Sequence, residues 1–590
     1  MPHKYKIDIL SHGRTVTASR SDLLADKIQE AGVNLSVYCN KKGLCGKCMV
    51  EIIEGSVSPL SEKEHFFIKQ KNLNLHHRLA CLQKIKSDLK INVPEESLLQ
   101  EAMVLKTGIE RPVLVDPMVK KYHLKLQKPE IKAPFSLLEL LEKDLKNKKL
   151  VISLDLLKEL PPILESSQYS VTAVTYHHNQ ILTVEPGDTI NKNYGIAVDI
   201  GTTTVVAELV NLTTGESVDT STSSNSQMRY GSDVVSRISF ACLNDENLKK
   251  MRDSILNTLN NMINSMLQKN KVKKSHVYEV VIAGNTSMNH FLLGLPVNNL
   301  AVSPFSAVFS SLPEFSSSEL GFDLSRQGKA YIVPNIKSFV GGDISAGLTA
   351  SDLAGRKGKY LFIDLGTNGE IVLKRGRRFV ATSTAAGPAF EGMNISCGML
   401  ALPGAIYKAQ HRRKLVFHTI ANKPAKGICG TGLIDLMAVF LEKGQISAKG
   451  KINNKAGKIP IINNIYINQK DVREMQLAIA AIKTGIRMVL LKNKLKLEQL
   501  DGIFIAGAFG NYLNIKNSIK IGLLPPVDEN KVIFIGNSSL AGAKTLLLAR
   551  EARKKIESLV KKIQYFSLAT DPHFQEYFVQ ALNLPDPNLE

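Results

Sequence analysis

Apolar and polar residues alternate over residues 4–10 and again over 14–18, with Ser11-His-Gly13 between them, and this two-residue period predicts a β-hairpin. Residues 22–31 follow with the spacing of a short amphipathic helix. Past a cysteine-bearing loop, residues 49–53 and 88–93 read as strands, and Arg78-Leu-Ala-Cys81 as the opening of another. Together these elements predict a compact β-grasp domain over residues 1–95. Residues 96–111 are polar and helical in pattern, as a linker would be, and residues 112–191 mix short strands with a leucine-rich helix at 137–145. This middle domain carries no chemical motif and reads as a packing or docking module.

From Tyr194 the pattern changes, and it repeats. Tyr194-Gly-Ile-Ala-Val-Asp-Ile-Gly-Thr-Thr-Thr204 has the plan of Tyr360-Leu-Phe-Ile-Asp-Leu-Gly-Thr-Asn368: an apolar strand, an Asp-x-Gly-Thr turn, then a second apolar strand. Self-similarity of this kind predicts duplicated lobes facing each other across a cleft. The first lobe is expected over 192–350, and the second, with a C-terminal helical tail, over 351–590. Ile255, Leu259, Met262, Ile263 and Met266, and later Met475, Ile479, Ile482 and Ile486, recur at helical spacing between and after the repeats. The fold class expected is multidomain, α+β and α/β.

Composition narrows the class. A chain of 590 residues is too long for one hydrophobic core. No stretch approaches the roughly 18 uninterrupted apolar residues of a membrane span, and the N-terminus lacks an apolar targeting run, so a cytoplasmic protein without a membrane partner is expected. The net charge of +21 is lysine-rich and scattered, as on solvated helix faces or a surface that steers in an acidic protein. Basic residues are not interleaved with aromatics and Trp is absent, which argues against nucleic acid. Seven cysteines, four of them near the N-terminus, suit a reducing compartment and a cofactor site.

Those four, Cys39, Cys45, Cys48 and Cys81, form a C-x5-C-x2-C-x32-C array. Three thiolates on one loop and a fourth from a neighbouring strand can wrap a 2Fe-2S cluster, with Gly43 and Gly46 letting the loop turn tightly. The spacing is one residue longer than the plant-type C-x4-C-x2-C. Tetrahedral zinc is the alternative, but it usually shows paired C-x2-C units or a histidine pair, and His76 and His77 read as surface residues. The segment resembles the vertebrate-type 2Fe-2S ferredoxins, whose first spacing is likewise five.

In each Asp-x-Gly-Thr turn, glycine permits close backbone approach, hydroxyl and N–H groups can bond phosphate oxygens, and aspartate can hold hydrated magnesium. The candidates are Asp199, Gly201, Thr202, Thr203 and Thr204 in one turn and Asp364, Gly366, Thr367 and Asn368 in the other. A third piece, Ile503-Phe-Ile-Ala-Gly-Ala-Phe-Gly510, offers Gly507 and Ala508 as a flat rest for adenosine. Together the three resemble the phosphate-1, phosphate-2 and adenosine segments of the actin, sugar kinase and heat-shock chaperone superfamily, which implies ATP and Mg²⁺ between mobile lobes. Within that scheme Val340-Gly-Gly-Asp-Ile-Ser-Ala-Gly347 looks like the glycerol-type kinase segment that presents a catalytic aspartate. Asp343 is expected to orient or deprotonate the attacking group, here water; the alternative is a helix N-cap. Gly284-Asn-Thr-Ser287, Gly387-Pro388 and Gly430-Thr431-Gly432 are further glycine turns, the last being the foremost candidate to line the cleft. Cys242, Cys397 and Cys429 read as buried thiols; related dehydratase-activating ATPases share a 4Fe-4S cluster between protomers, a role open to Cys397 and Cys429.

A ferredoxin domain, linker, middle domain and such an ATPase, in that order, resemble the reductive activators of corrinoid-dependent methyltransferases and corrinoid iron-sulfur proteins. No cysteine follows Cys429, so the variety with the ferredoxin first is the closer fit. The resemblance implies an ATP-hydrolysing reductive activase that passes one electron from a 2Fe-2S cluster to inactive Co(II), restoring Co(I) for methyl transfer. A potential gap of about 0.25 V would make that step uphill by roughly 6 kcal/mol, which ATP can cover. The partners implied are a corrinoid protein of a methyltransferase system and a low-potential electron donor, with a homodimer as an option. Two other readings compete: a small-molecule kinase with an accessory ferredoxin-like redox domain, and a plain electron-transfer protein.

Overall fold

The computed structural model describes residues 4–585 apart from 21, 34, 36–47, 72, 95–96, 98–112, 132–133, 147–148, 412 and 508–512. Most of the linker expected at 96–111 therefore lies outside the described residues.

The hairpin of the N-terminal domain forms as its alternation requires: Tyr5–Ile9 pairs antiparallel with Arg14–Ala18, and Ile7 and Ile9 are fully buried. Its sheet runs in the order Arg14–Ala18, Tyr5–Ile9, Leu89–Asn92, Met49–Glu54, His77–Leu79, with Tyr5–Ile9 and Leu89–Asn92 parallel. Leu24, Ala25 and Ile28 of helix Leu24–Glu30 close the core over it. One expectation changes in detail. The strand at Arg78 ends at Leu79: Ala80 still donates its N–H to the Cys48 carbonyl across the ladder at 3.0 Å, and the chain then curls into a 3-10 turn at Ala80–Leu82.

The middle domain is a three-stranded antiparallel sheet, Val119–Lys125, Ser170–Tyr176 and Gln180–Pro186, backed by helices Leu137–Asp144 and Leu154–Ser166. The shorter helix starts on a capping box: Glu139 donates its N–H to the Ser136 hydroxyl at 3.3 Å, and Ser136 donates its own to the Glu139 carboxylate at 2.7 Å.

The repeat becomes two six-stranded sheets that match over five strands, the sixth lying on opposite edges in the two. Tyr194–Ile200 pairs antiparallel with Thr204–Asn211 and parallel with Val277–Gly284; Lys359–Leu365 pairs antiparallel with Gly369–Arg375 and parallel with Gly502–Ala506. The long amphipathic stretches become helices Asp245–Lys269 and Gln469–Lys492, whose periodic apolar residues are buried against their own sheets.

Helices Gly342–Ala350 and Ser538–Leu548 cross between the sheets, backbone to backbone. A β-carbon on Gly542 would stand 1.9 Å from the Ala346 carbonyl oxygen, so only glycine fits. Although Ser538–Leu548 comes late in the chain, it packs on first-lobe strands Tyr194–Ile200 and Val277–Gly284 as well. Its end is stitched to the middle domain through Asp116, whose N–H donates to Leu548 at 2.8 Å and whose carbonyl accepts from Arg550 at 3.0 Å. One apolar cluster thus holds Val119 and Tyr176 of the middle domain, Tyr278 of the first lobe, Phe362 and Phe504 of the second, and Leu547. No helix among the described residues is long and apolar enough to cross a membrane.

Candidate functional sites

At one end of the β-grasp sheet the pairing of Met49 with Leu79 and the Ala80-to-Cys48 hydrogen bond set Cys48 beside the turn that carries Cys81. The two thiols are 1% and 2% exposed. Cys39 and Cys45 lie outside the described residues. Two shielded, soft thiol donors on adjacent segments suit an iron-sulfur cluster.

The second site is a cavity of about 670 Å³ between the lobes. Asp199, Gly201, Thr202, Thr203 and Thr204 line it from one turn, and Asp364, Gly366, Thr367 and Asn368 from the other; Asp343, Gly430, Thr431 and Gly507 also face it. Both turns are closed by their own backbone: Gly201 donates to the Thr204 carbonyl at 2.9 Å and Gly366 to the Asn368 carbonyl at 3.0 Å. Gly507 has φ +105°, and a β-carbon there would come within 2.4 Å of the Leu365 carbonyl oxygen, so glycine alone lets the third segment approach the second turn. Ala508 lies outside the described residues. Gly430 and Thr431 begin helix Gly430–Glu442, so its N-terminal end lines the cavity. Gly432 does not line it: a β-carbon there would stand 2.1 Å from the Ile406 carbonyl oxygen, so its small size serves helix-on-strand packing.

The acidic residues are held in different ways. Asp199 accepts from the Asn537 amide at 3.0 Å and the Ser539 hydroxyl at 2.7 Å, which ties the first turn to the start of helix Ser538–Leu548. Asp343 is the second residue of helix Gly342–Ala350; Gly341, not Asp343, is the N-cap, and the Asp343 carboxylate accepts from the Ile344 N–H at 2.8 Å. Burial pushes the Asp343 carboxyl up to about 7, with the negative charge of Asp199 adding to the effect. Asp364 is pushed up to about 8 by burial and then by Asp343 and Asp199. Glu370 rises for the same reasons, and Asp199 rises through burial despite its two hydrogen bonds. No three His, Cys, Asp or Glu side chains among the described residues converge as direct ligands to one ion.

Asn285, within the Gly284-Asn-Thr-Ser287 turn, lines the cavity as well, and Glu391, Asn537 and Ser539, which also line it, were not singled out from the sequence. Asn285, the N-cap of helix Thr286–Leu293, donates its amide to the Thr202 hydroxyl at 3.1 Å. Glu391 accepts from the Thr203 hydroxyl and, at 2.6 Å, from the Thr367 hydroxyl, and so joins the two turns. Each sits beside a glycine turn that the sequence shows, Gly284 and Gly387-Pro388, while Asn537 and Ser539 follow Gly536. Buried Arg237 donates to the Thr202 carbonyl at 2.6 Å and has no such signal.

Of the three remaining cysteines only Cys429 is buried, and burial raises its thiol. Cys242 and Cys397 are half-buried, against expectation, since each sits where a helix or loop meets solvent. The Cys397 sulfur lies 3.6 Å from the Asn464 carbonyl oxygen.

Comparison with known proteins matches the chain in four segments. Residues 7–86 match the 2Fe-2S iron-sulfur cluster binding domain, 108–191 the RACo linker region, 194–356 the RACo middle region, and 358–590 the C-terminal domain of RACo, the ASKHA domain. The corrinoid activation enzyme RamQ of Eubacterium limosum is 30% identical over 96% of both chains. A Co(II) methylated amine-specific corrinoid protein reductase of Methanosarcina barkeri is 29% identical over 66% of this chain and 77% of its own. The solved structure of a reductive activator for corrinoid, iron-sulfur protein superposes with a TM-score of 0.76 at 33% identity, covering 99% of each chain. With these segments in one order and a relative matched nearly end to end, the chain belongs to the RACo family of reductive activators of corrinoid proteins.

Proposed function

We propose that this protein is an ATP-dependent reductive activator that passes one electron from a 2Fe-2S cluster to the inactive Co(II) form of a corrinoid protein, returning it to Co(I) for methyl transfer. The observation that carries this reading is the joining of a β-grasp domain with shielded Cys48 and Cys81 to a two-lobed cleft whose Asp-x-Gly-Thr turns face each other. Relatives named as corrinoid activators span both parts, which favours it over a small-molecule kinase with an accessory redox domain. The residues assigned to the cluster are Cys39, Cys45, Cys48 and Cys81; bound there, it supplies one electron at low potential.

In the cleft, the hydroxyls of Thr203, Thr204 and Thr367, the N–H groups of both turns and the N-terminus of helix Gly430–Glu442 are assigned to the phosphates. Gly507 and Ala508 are assigned to adenosine. Asp199 and Asp364 would hold the hydrated Mg²⁺ that neutralises phosphate charge. ATP then acts through the lobes: Asp199 is tied to Asn537 and Ser539, at the start of the helix that also packs on the first lobe and the middle domain, so a nucleotide drawing the two turns together moves these parts as one. It can shift the protein toward its partner-binding form only by its difference in affinity for the two forms. The reaction is placed in the cytoplasm, with a low-potential protein as electron donor and dimer formation as an option.

The test is a Cys45→Ser variant purified without oxygen and assayed for ATP hydrolysis and for reduction of a Co(II) corrinoid protein. Loss of reduction with hydrolysis persisting supports the division of labour; reduction at the parent's rate refutes it.

A further inference from the structure

Hydrolysis of ATP needs a group that orients water behind the γ-phosphorus and takes its proton. Asp343, expected in that role from the sequence, already accepts from the Ile344 N–H at 2.8 Å, Asp199 accepts from both Asn537 and Ser539, and Glu370 accepts from Ser383 at 3.3 Å.

Glu391 is placed differently. It ends the 3-10 turn Pro388–Glu391, between Gly387 and Gly392, both at φ +76°. Only glycine takes up that backbone at little cost, so the turn is built to aim its last side chain. That side chain reaches the opening between the two Asp-x-Gly-Thr turns, where one carboxylate oxygen accepts from Thr203 and the other from Thr367. These are the hydroxyls assigned above to phosphate. When phosphate oxygens take their hydrogen bonds, both Glu391 oxygens are released within one hydrogen-bond layer of the γ-phosphate, with lone pairs open to water.

Resting on the assignment of this cleft to ATP, we infer that Glu391 is the catalytic residue that orients and deprotonates the attacking water. The water oxygen forms a bond to the γ-phosphorus while the bond from that phosphorus to the β–γ bridging oxygen breaks. ADP leaves with the electron pair, and Glu391 accepts the water proton and later returns it to solvent.

The experiment uses the full-length protein with its cluster and compares the parent with Glu391→Gln and Glu391→Asp. Two quantities are read: the kcat of Mg-ATP hydrolysis, and the Kd of a non-hydrolysable ATP analogue. Expected for Glu391→Gln is a fall in kcat of about 100-fold or more, the scale of general-base catalysis, with analogue Kd within about threefold of the parent. Glu391→Asp should restore part of the rate. The inference is overturned if Glu391→Gln turns over within about threefold of the parent, or loses analogue binding in step with rate, since the latter marks a binding role. A parent that neither binds the analogue nor hydrolyses ATP refutes the nucleotide assignment itself, which tells the two failures apart.

Discussion

Replacing Gly542 by alanine tests whether the crossing of helices Gly342–Ala350 and Ser538–Leu548 sets the geometry of the cleft. The added β-carbon would lie 1.9 Å from the Ala346 carbonyl oxygen, 2.3 Å from its carbon and 2.6 Å from its α-carbon. Ordinary contact needs about 3.5 Å, so the helices must separate by roughly 1.5 Å. The obstacle is backbone and cannot turn aside, which puts the cost near the upper end of overpacking, about 3 kcal/mol. The better helix propensity of alanine returns about 1 kcal/mol, leaving a net loss of about 2 kcal/mol. The two lobes joined by this crossing, about 400 residues at roughly 2.1 cal/mol/K each, should then melt about 2–3 °C lower by calorimetry. The same movement displaces Asp343 on one helix and Ser539 on the other, and an ångström of misplacement at a reacting centre costs on the order of 100-fold in rate. ATP hydrolysis should fall by that order while the visible spectrum of the cluster is unchanged. A Gly542→Ala protein that melts and hydrolyses ATP like the parent would refute the backbone-contact argument.

Arg553 is buried with its guanidinium 2.7 Å from the Glu279 carboxylate and over the Tyr331 ring, while Tyr176 of the middle domain donates to the same glutamate at 3.3 Å. Arg553→Leu strands that charge and should cost about 3–5 kcal/mol, whereas adding Glu279→Leu should recover most of the loss; denaturant unfolding of the single and double variants checks this. Asp343 and Asp364 keep their protons in the folded, nucleotide-free protein up to about 7 and about 8, and release them from the ordinary carboxylate range once unfolded. The folded state therefore holds more protons, so the stability these groups contribute is complete at acid pH and is lost as pH rises from about 4 toward 8. Asp364→Asn should flatten that decline in Tm, and a slope identical to the parent's would contradict it. Because the cation needs ionised carboxylates, Mg-ATP binding should release protons near neutrality, a quantity measurable as buffer-dependent heat in titration calorimetry.

What residues could dictate through near neighbours was readable without coordinates. The hairpin period before Ala18, the spacing of the four cysteines, and the repeated strand-turn-strand of Tyr194 and Tyr360 are local patterns, because pleat, loop closure and turn geometry act over a few bonds. So the architecture followed, and the candidates of both Asp-x-Gly-Thr turns are among the residues lining the cleft. Tertiary structure alone decided the rest. Asp199 meets Asn537 across 338 positions and Thr203 meets Glu391 across 188, and no periodicity registers contacts whose partners are brought together only when two sheets close on crossed helices. It likewise separated Gly432, which packs a helix, from Gly430, which faces the cavity, though the two stand in one short turn. A turn motif specifies backbone shape, while the direction each side chain faces depends on what distant chain arrives beside it.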